Sequence, residues 1–253
     1  MFKRSTQLAL GILVVFVTSA VSKAPAEDTV HLALSGLHLA ADPVRGGGDW
    51  WGIFPEDEGY TLQPVRARVE AVVNPLADGD TRKTATQITV PGDLQDIPLL
   101  RGLKSAAAGP LVSLKPSKSW GFLPPGETIE LTMQRDVLES EMKIVASGRA
   151  VAKEPGPSDS TIVSAYELRL IQDAANEKRT QLLVALPEFW RFSYDTGPEL
   201  MWAGDIDRDG KLDLLYNLRT FYMYTDLALF LSSAAKEGEL VGLVARWNAV
   251  GGC

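Results

Sequence analysis

The chain carries one cysteine, Cys253 at its last position, and two histidines, His31 and His38. One thiol cannot close an internal disulfide, so stability has to come from a packed core or a bound metal. Cys253 reads as a loosely held terminal thiol, the alternative being an intermolecular disulfide. Histidines seven residues apart on one strand point to opposite faces, which argues against a zinc site shared by this pair. A Ser-His-Asp or Cys-His nucleophile would have to recruit one of the same two residues. GxSxG, HExxH, P-loop and GxGxxG patterns are all missing. Helical periodicity is scarce too. Its best instance is 240–250 (LVGLVARWNAV), where Leu240, Leu243, Val244 and Trp247 share a helical face. Gly242 and indifferent helix formers leave strand and short helix equally open there.

Positive charge is also in short supply, with 25 Lys and Arg against 32 Asp and Glu, a net charge of −7. Lys3, Arg4 and Lys23 lie within residues 1–26, which hold no acid; without that segment 22 cations face 32 anions, a net −10. Such a surface repels nucleic acid and anionic lipid, and no basic stripe offsets it.

Residues 1–26 have the layout of a cleavable signal peptide: Lys3 and Arg4, the apolar run 8–17, then small residues. Cleavage is expected after Ala20 or, preferred, after Ala26. Lys23 ends the apolar stretch short of the about 20 residues that a membrane-spanning helix needs. The expected product is exported, to the periplasm, the cell surface or the medium, with no stable membrane span.

What the sequence does have is period-two alternation, punctuated by Pro and Gly. Residues 29–39, 60–73 and 127–133 alternate, with Val65, Ala67, Val69 and Ala71 assigned to one face of the second run. Runs 162–171 and 180–186 flank the polar stretch QDAANEKR and read as an antiparallel hairpin. The expected fold is all-β, a mostly antiparallel sandwich or two small β units, with few short helices. Linker chemistry at 117–126 and 153–159 divides the chain into 1–26, 27–118 and 119–253; one continuous sandwich or two domains both fit. No period of 20 to 50 residues repeats.

The segment with the strongest chemistry is 205–213, DIDRDGKLD. It places carboxylates at loop positions 1, 3, 5 and 9: Asp205, Asp207, Asp209 and Asp213. Calcium takes six to eight oxygens, and Asp at alternate positions can curl round one ion. Gly210 permits the sharp turn, Lys211 would supply its backbone carbonyl, and Asp213 would close the set directly or through water. Four carboxylates within nine residues repel one another, so a divalent cation would stabilise the compact loop. An EF-hand needs a bidentate Glu at position 12, where Tyr216 stands, and the flanks read as strands.

Residues 204–216 (GDIDRDGKLDLLY) followed by 227–232 (LALFLS) resemble a single FG-GAP or VCBS-type repeat of integrin-like β-propellers. The resemblance implies a calcium-binding hairpin with Asp205, Asp207, Asp209 and Asp213 as side-chain ligands and Lys211 as carbonyl ligand. It covers about thirty residues in one copy, whereas a propeller needs several blades. Residues 229–241 also resemble exported bacterial proteins of unassigned function.

A second constellation is GGGDWWGIFPEDEGY, which sets Asp49, Glu56, Asp57 and Glu58 near Trp50 and Trp51. Carboxylates beside aromatic platforms would suit glycoside hydrolysis. In the simpler arrangement one Trp is core and 56–58 is a solvated loop. Trp120, Trp190 and Trp202 read as core or rim. The sequence as a whole favours an exported, calcium-binding, non-enzymatic binding or structural module with a protein or glycan partner. The alternative is a secreted glycan-acting hydrolase.

Overall fold

The structure, a computed structural model, describes residues 29–251 except 45–48, 77–80, 117–120, 134–140, 153–159, 175–176, 193–195 and 222. The signal segment 1–26, Trp120, the linker 153–159 and Cys253 lie outside the described residues, as does the side chain of Trp190.

The fold is all-β, with 65% of the chain in strands. Its strands are β1 (His31–Leu34), β2 (Gly36–Ala41), β3 (Asp49–Glu56), β4 (Gly59–Arg66), β5 (Arg68–Val72), β6 (Ala85–Thr89), β7 (Pro98–Arg101) and β8 (Gly109–Pro116). There follow β9 (Thr128–Met133), β10 (Glu141–Ala152), β11 (Ser160–Ala174), β12 (Glu177–Phe192), β13 (Glu199–Asp205), β14 (Asp213–Asn217), β15 (Tyr224–Leu231) and β16 (Gly242–Gly251). The only helical element among the described residues is a 3₁₀ turn at Ser232–Ala234. No described helix is long and apolar enough to cross a membrane.

Twelve strands form an antiparallel ladder in the order β1-β7-β3-β4-β8-β13-β14-β15-β16-β2-β6-β5. The other four, β9 to β12, form a second antiparallel sheet that joins the first through β8 and β9. The ladder folds over itself, so β1 packs against β15 and β16. Three layers result: an outer sheet (β1, β7, β3, β4), a central sheet (β13 to β16, β2, β6, β5), and the β9–β12 sheet.

Two cores separate these layers. The first holds Leu32, Trp50, Ile53, Leu62 and Leu99 from the outer sheet against Trp202, Leu215, Leu227, Leu229 and Trp247. The second holds Ile129, Ile144, Tyr166 and Leu168 against Leu200, Leu214, Tyr216 and Phe230. Successive residues of β14 and β15 therefore serve opposite cores: Leu215 one, Leu214 and Tyr216 the other. A strand covered on both faces has to be apolar at consecutive positions. That is why DLLYN and LALFL show no alternation.

Elsewhere the alternating runs were broken by corners at which the chain changes sheet. The run 29–39 divides at Ser35, whose hydroxyl donates to the Leu94 carbonyl at 2.8 Å and accepts from the Ile97 N–H at 2.9 Å. The run 60–73 divides at Ala67, between outer β4 and central β5. Val65 and Ala67 are buried and Ala71 is exposed, so the single expected face does not persist. Residues 242–251 form a strand, not a helix. Ala245, Trp247 and Ala249 are buried while Leu243 is 55% exposed, the period of two imposed by pairing with β15. The β11–β12 hairpin is as expected, but its ladder runs on through the polar stretch to Ala174↔Glu177.

The central sheet draws β2, β5 and β6 from before residue 118 and β13 to β16 from after it, joined by the pairing Ala249↔Ala41. A division at 118 thus cuts through a hydrogen-bonded sheet.

Candidate metal centre

The loop 206–212 connects β13 to β14 and is anchored in both cores. Ile206 is fully buried in the first core and Leu212 is buried in the second. Two apolar pegs on opposite sides leave the intervening chain to curl outward. Arg208 and Gly210 take left-handed backbone, at φ 62° and 82°. For Gly210 that conformation costs nothing, whereas a side chain at Arg208 disfavours it by about 1–2 kcal/mol. Arg208 is held in place from outside: its guanidinium donates to the carbonyls of Ala107 at 2.9 Å and Ala108 at 3.4 Å. Its charge is thereby turned away from the carboxylates.

Asp205, Asp207 and Asp209 converge, each offering a carboxylate oxygen within 4.8 Å of the others. Calcium–oxygen distances are ~2.3–2.6 Å, so oxygens on opposite sides of one ion lie ~4.6–5.2 Å apart. The donor set is all oxygen, which suits a hard cation better than zinc. Asp205 and Asp207 are 8% and 6% exposed, so their charges have little water to screen them. Burial raises the Asp205 pKa, and the neighbouring Asp209 and Asp207 raise it further. Loop amides partly oppose this. Asp209 N–H donates to Asp205 Oδ1 at 3.0 Å and Gly210 N–H to Asp205 Oδ2 at 2.9 Å.

Asp213 is held apart from these three. It is wholly buried at the start of β14. Its Oδ2 accepts the Ile206 N–H and its Oδ1 the Ser232 N–H, both at 2.8 Å. It clamps the start of the loop to the end of β15, and it stands outside the three-carboxylate group. Burial pushes its pKa up to about 7, with repulsion from Asp207 and Asp209 adding to the rise. The Lys211 side chain is exposed, and its N–H donates to Asp209 Oδ1 at 2.9 Å. Tyr216, at the position where an EF-hand needs Glu, is buried in the second core.

Two residues of the site escaped the sequence reading. Ser232 Oγ donates to Asp209 Oδ2 at 2.7 Å, and Ser233 Oγ donates to Asp207 Oδ2. Both lie on the 3₁₀ turn after β15, 19 or more residues from the loop, and a hydroxyl pair after an apolar strand has no signature of its own.

The other candidates are dispersed. Asp49 and Glu56 occupy opposite ends of β3. Seven steps at ~3.3 Å separate them by ~23 Å, against the ~5–9.5 Å between paired glycosidase carboxyls. Glu56, Asp57 and Glu58 are exposed at the β3–β4 turn, Trp50 is core, and Trp51 is partly buried against it. His31 is exposed on β1, while His38 is buried on β2 with its ring edge-on to Trp247 at 5.0 Å. Trp202 is core, its indole N–H donating to Ser113 Oγ at 3.0 Å. No family model, curated protein or solved structure matches the chain.

Proposed function

We propose that the chain is an exported β module in which Ca²⁺ on the Asp205–Asp213 loop stabilises the β13–β14 hairpin, and that it works by binding a protein or glycan, not by catalysis. The observation that carries the reading is the convergence of Asp205, Asp207 and Asp209 within 4.8 Å on a loop pegged into two cores. Left alone, three carboxylates in that space repel; one divalent cation turns the repulsion into attraction. The FG-GAP or VCBS resemblance implies Asp205, Asp207, Asp209 and Asp213 as side-chain ligands with the Lys211 carbonyl; of these, Asp205, Asp207, Asp209 and the Lys211 carbonyl supply the ion's oxygens in this reading. Asp213 holds the frame. The signal-like residues 1–26 support export. The separation of Asp49 from Glu56 along β3 favours binding over glycan hydrolysis.

The test is thermal unfolding of the mature protein in chelator and in calcium, for the wild type and for Asp207→Ala and Asp209→Ala. Extracellular calcium modules have Kd values of ~10⁻⁴–10⁻³ M. At about ten to a hundred times Kd, the ion adds about 1.4–2.7 kcal/mol. For a chain of this size that raises the midpoint by roughly 3–10 °C. Both variants are expected to lose this rise. A wild-type midpoint that millimolar calcium does not move would overturn the calcium assignment.

A further inference from the structure

At the end of the outer sheet, where β1 has only β7 as its partner among the described residues, the two layers part and leave a cleft of about 340 Å³. Its size is within the ~300–1,000 Å³ typical of small-molecule sites. The cleft shares no residue with the Asp205–Asp213 loop. Its polar side chains are His31 and Arg101 on the outer sheet and Asp42 after β2. Trp50 and Trp247 supply its aromatic wall.

The polar lining is rich in donors and poor in open acceptors. His31 and Arg101 are directly opposed in the β1–β7 pairing, so their side chains leave the sheet on the same face. Arg101 is half-buried and has no ion-pair partner among the described residues. The Trp50 ring is 2% exposed, and its indole N–H has no acceptor among the described residues. Arg246 of β16 adds no charge here: it alternates with Trp247 and leaves on the opposite face, where its Nε–H and one Nη donate to the two oxygens of Asp226. Asp42 is the one carboxylate among the described lining residues. Its Oδ2 already accepts the Asn248 backbone N–H at 2.9 Å and the Asn248 amide at 3.1 Å. With that acid already engaged by Asn248, the Arg101 guanidinium stays available for an anion in a chain of net charge −7.

We infer that this cleft binds a small organic monocarboxylate, its carboxylate on the Arg101 guanidinium and its apolar body against Trp50 and Trp247. Arginine's planar fork matches a carboxylate in two parallel hydrogen bonds. The single uncompensated guanidinium suits a singly charged group better than a dianionic phosphate. Val44 and Val244 add apolar lining for the rest of the molecule.

Two indoles in the wall make intrinsic tryptophan fluorescence the readout. The mature protein is titrated with phenylacetate, isocaproate, the neutral phenylacetamide and inorganic phosphate, in calcium and again in chelator. Saturable responses to the two acids are expected in both media. Phenylacetamide is expected to bind about tenfold or more weaker, the range of one charge-assisted hydrogen-bond pair. Arg101→Gln, at a strand end, is expected to weaken acid binding by a similar factor without moving the unfolding midpoint. The inference is overturned if neither acid gives a saturable response, if the amide or phosphate matches the acids, or if Arg101→Gln binds as the wild type does. Because the chelator arm contains no calcium, a failed calcium site and a failed cleft give different results.

Discussion

Replacing Asp213 by alanine separates two roles that one motif combines. In the motif, Asp213 stands beside Asp205, Asp207 and Asp209 as an equal; in the fold it accepts two backbone N–H groups. Asp213→Ala leaves Ile206 N–H and Ser232 N–H without acceptors in a site closed to water. Each orphaned buried donor costs about 1–3 kcal/mol, so the variant should lose about 2–6 kcal/mol with no metal present. The measurement is urea unfolding in chelator near pH ~4, well below the folded pKa of about 7, where the native side chain is uncharged and little of the proton-linked penalty has developed. Asp207→Ala is the control. It gives up the Ser233 hydroxyl and a 3.3 Å bond from Asp209 N–H but relieves repulsion, so its cost in chelator should stay within about 1 kcal/mol. In calcium at neutral pH the calcium increment separates the two: Asp207→Ala loses it and Asp213→Ala keeps it. If Asp213→Ala is as stable as the wild type in chelator and loses the calcium increment, Asp213 is a ligand and the clamp is wrong.

The same carboxyl sets a pH dependence. Its folded pKa of about 7 is above its ordinary value of 3.8, so between those values the native state holds a proton that the unfolded chain has released. Stability from this group is fully present below pH ~4 and is lost as pH rises toward 7, by up to about 4 kcal/mol for a shift of about three units. Urea midpoints across that range in chelator should therefore show the wild-type advantage over Asp213→Ala narrowing as pH rises; a constant gap would contradict it. Gly204→Ala tests the junction of β8 with β13. An added Cβ would stand 2.1 Å from the Val112 carbonyl oxygen and 2.5 Å from Trp202 Cζ2. The first of these is backbone and cannot swing aside, so a loss of about 1–3 kcal/mol or more is expected, read as a lower thermal midpoint in chelator.

Much of the β character was legible because it is local. Period-two runs mark strands wherever one face meets a core and the other meets water, as in β9, where Ile129 and Leu131 are buried and Glu130 is exposed. The 205–213 loop was legible for a related reason: three carboxylates at alternate positions with Gly210 at the turn are a contiguous signal. The rule fails where burial is two-sided. β14 and β15 lie between two cores and lose their alternation, and the run 60–73 changes sheets at Ala67, which no propensity in the run announces.

The sequence by itself determined the strand-rich class and the acidic loop, whose carboxylate spacing is set by the backbone repeat and which ranked Asp213 with Asp205, Asp207 and Asp209. Tertiary structure alone decided what each residue does in place. It turned Asp213 inward as a clamp, brought Ser232 and Ser233 to the loop from beyond β15, and drew Asp49 apart from Glu56 along β3. It also set Arg101 beside the two indoles of a cleft formed from distant strands. The physical reason is the range of the interactions: a turn forms from neighbours in the chain, whereas a buried carboxyl's partners and a cleft's walls depend on which strands the sheets place side by side.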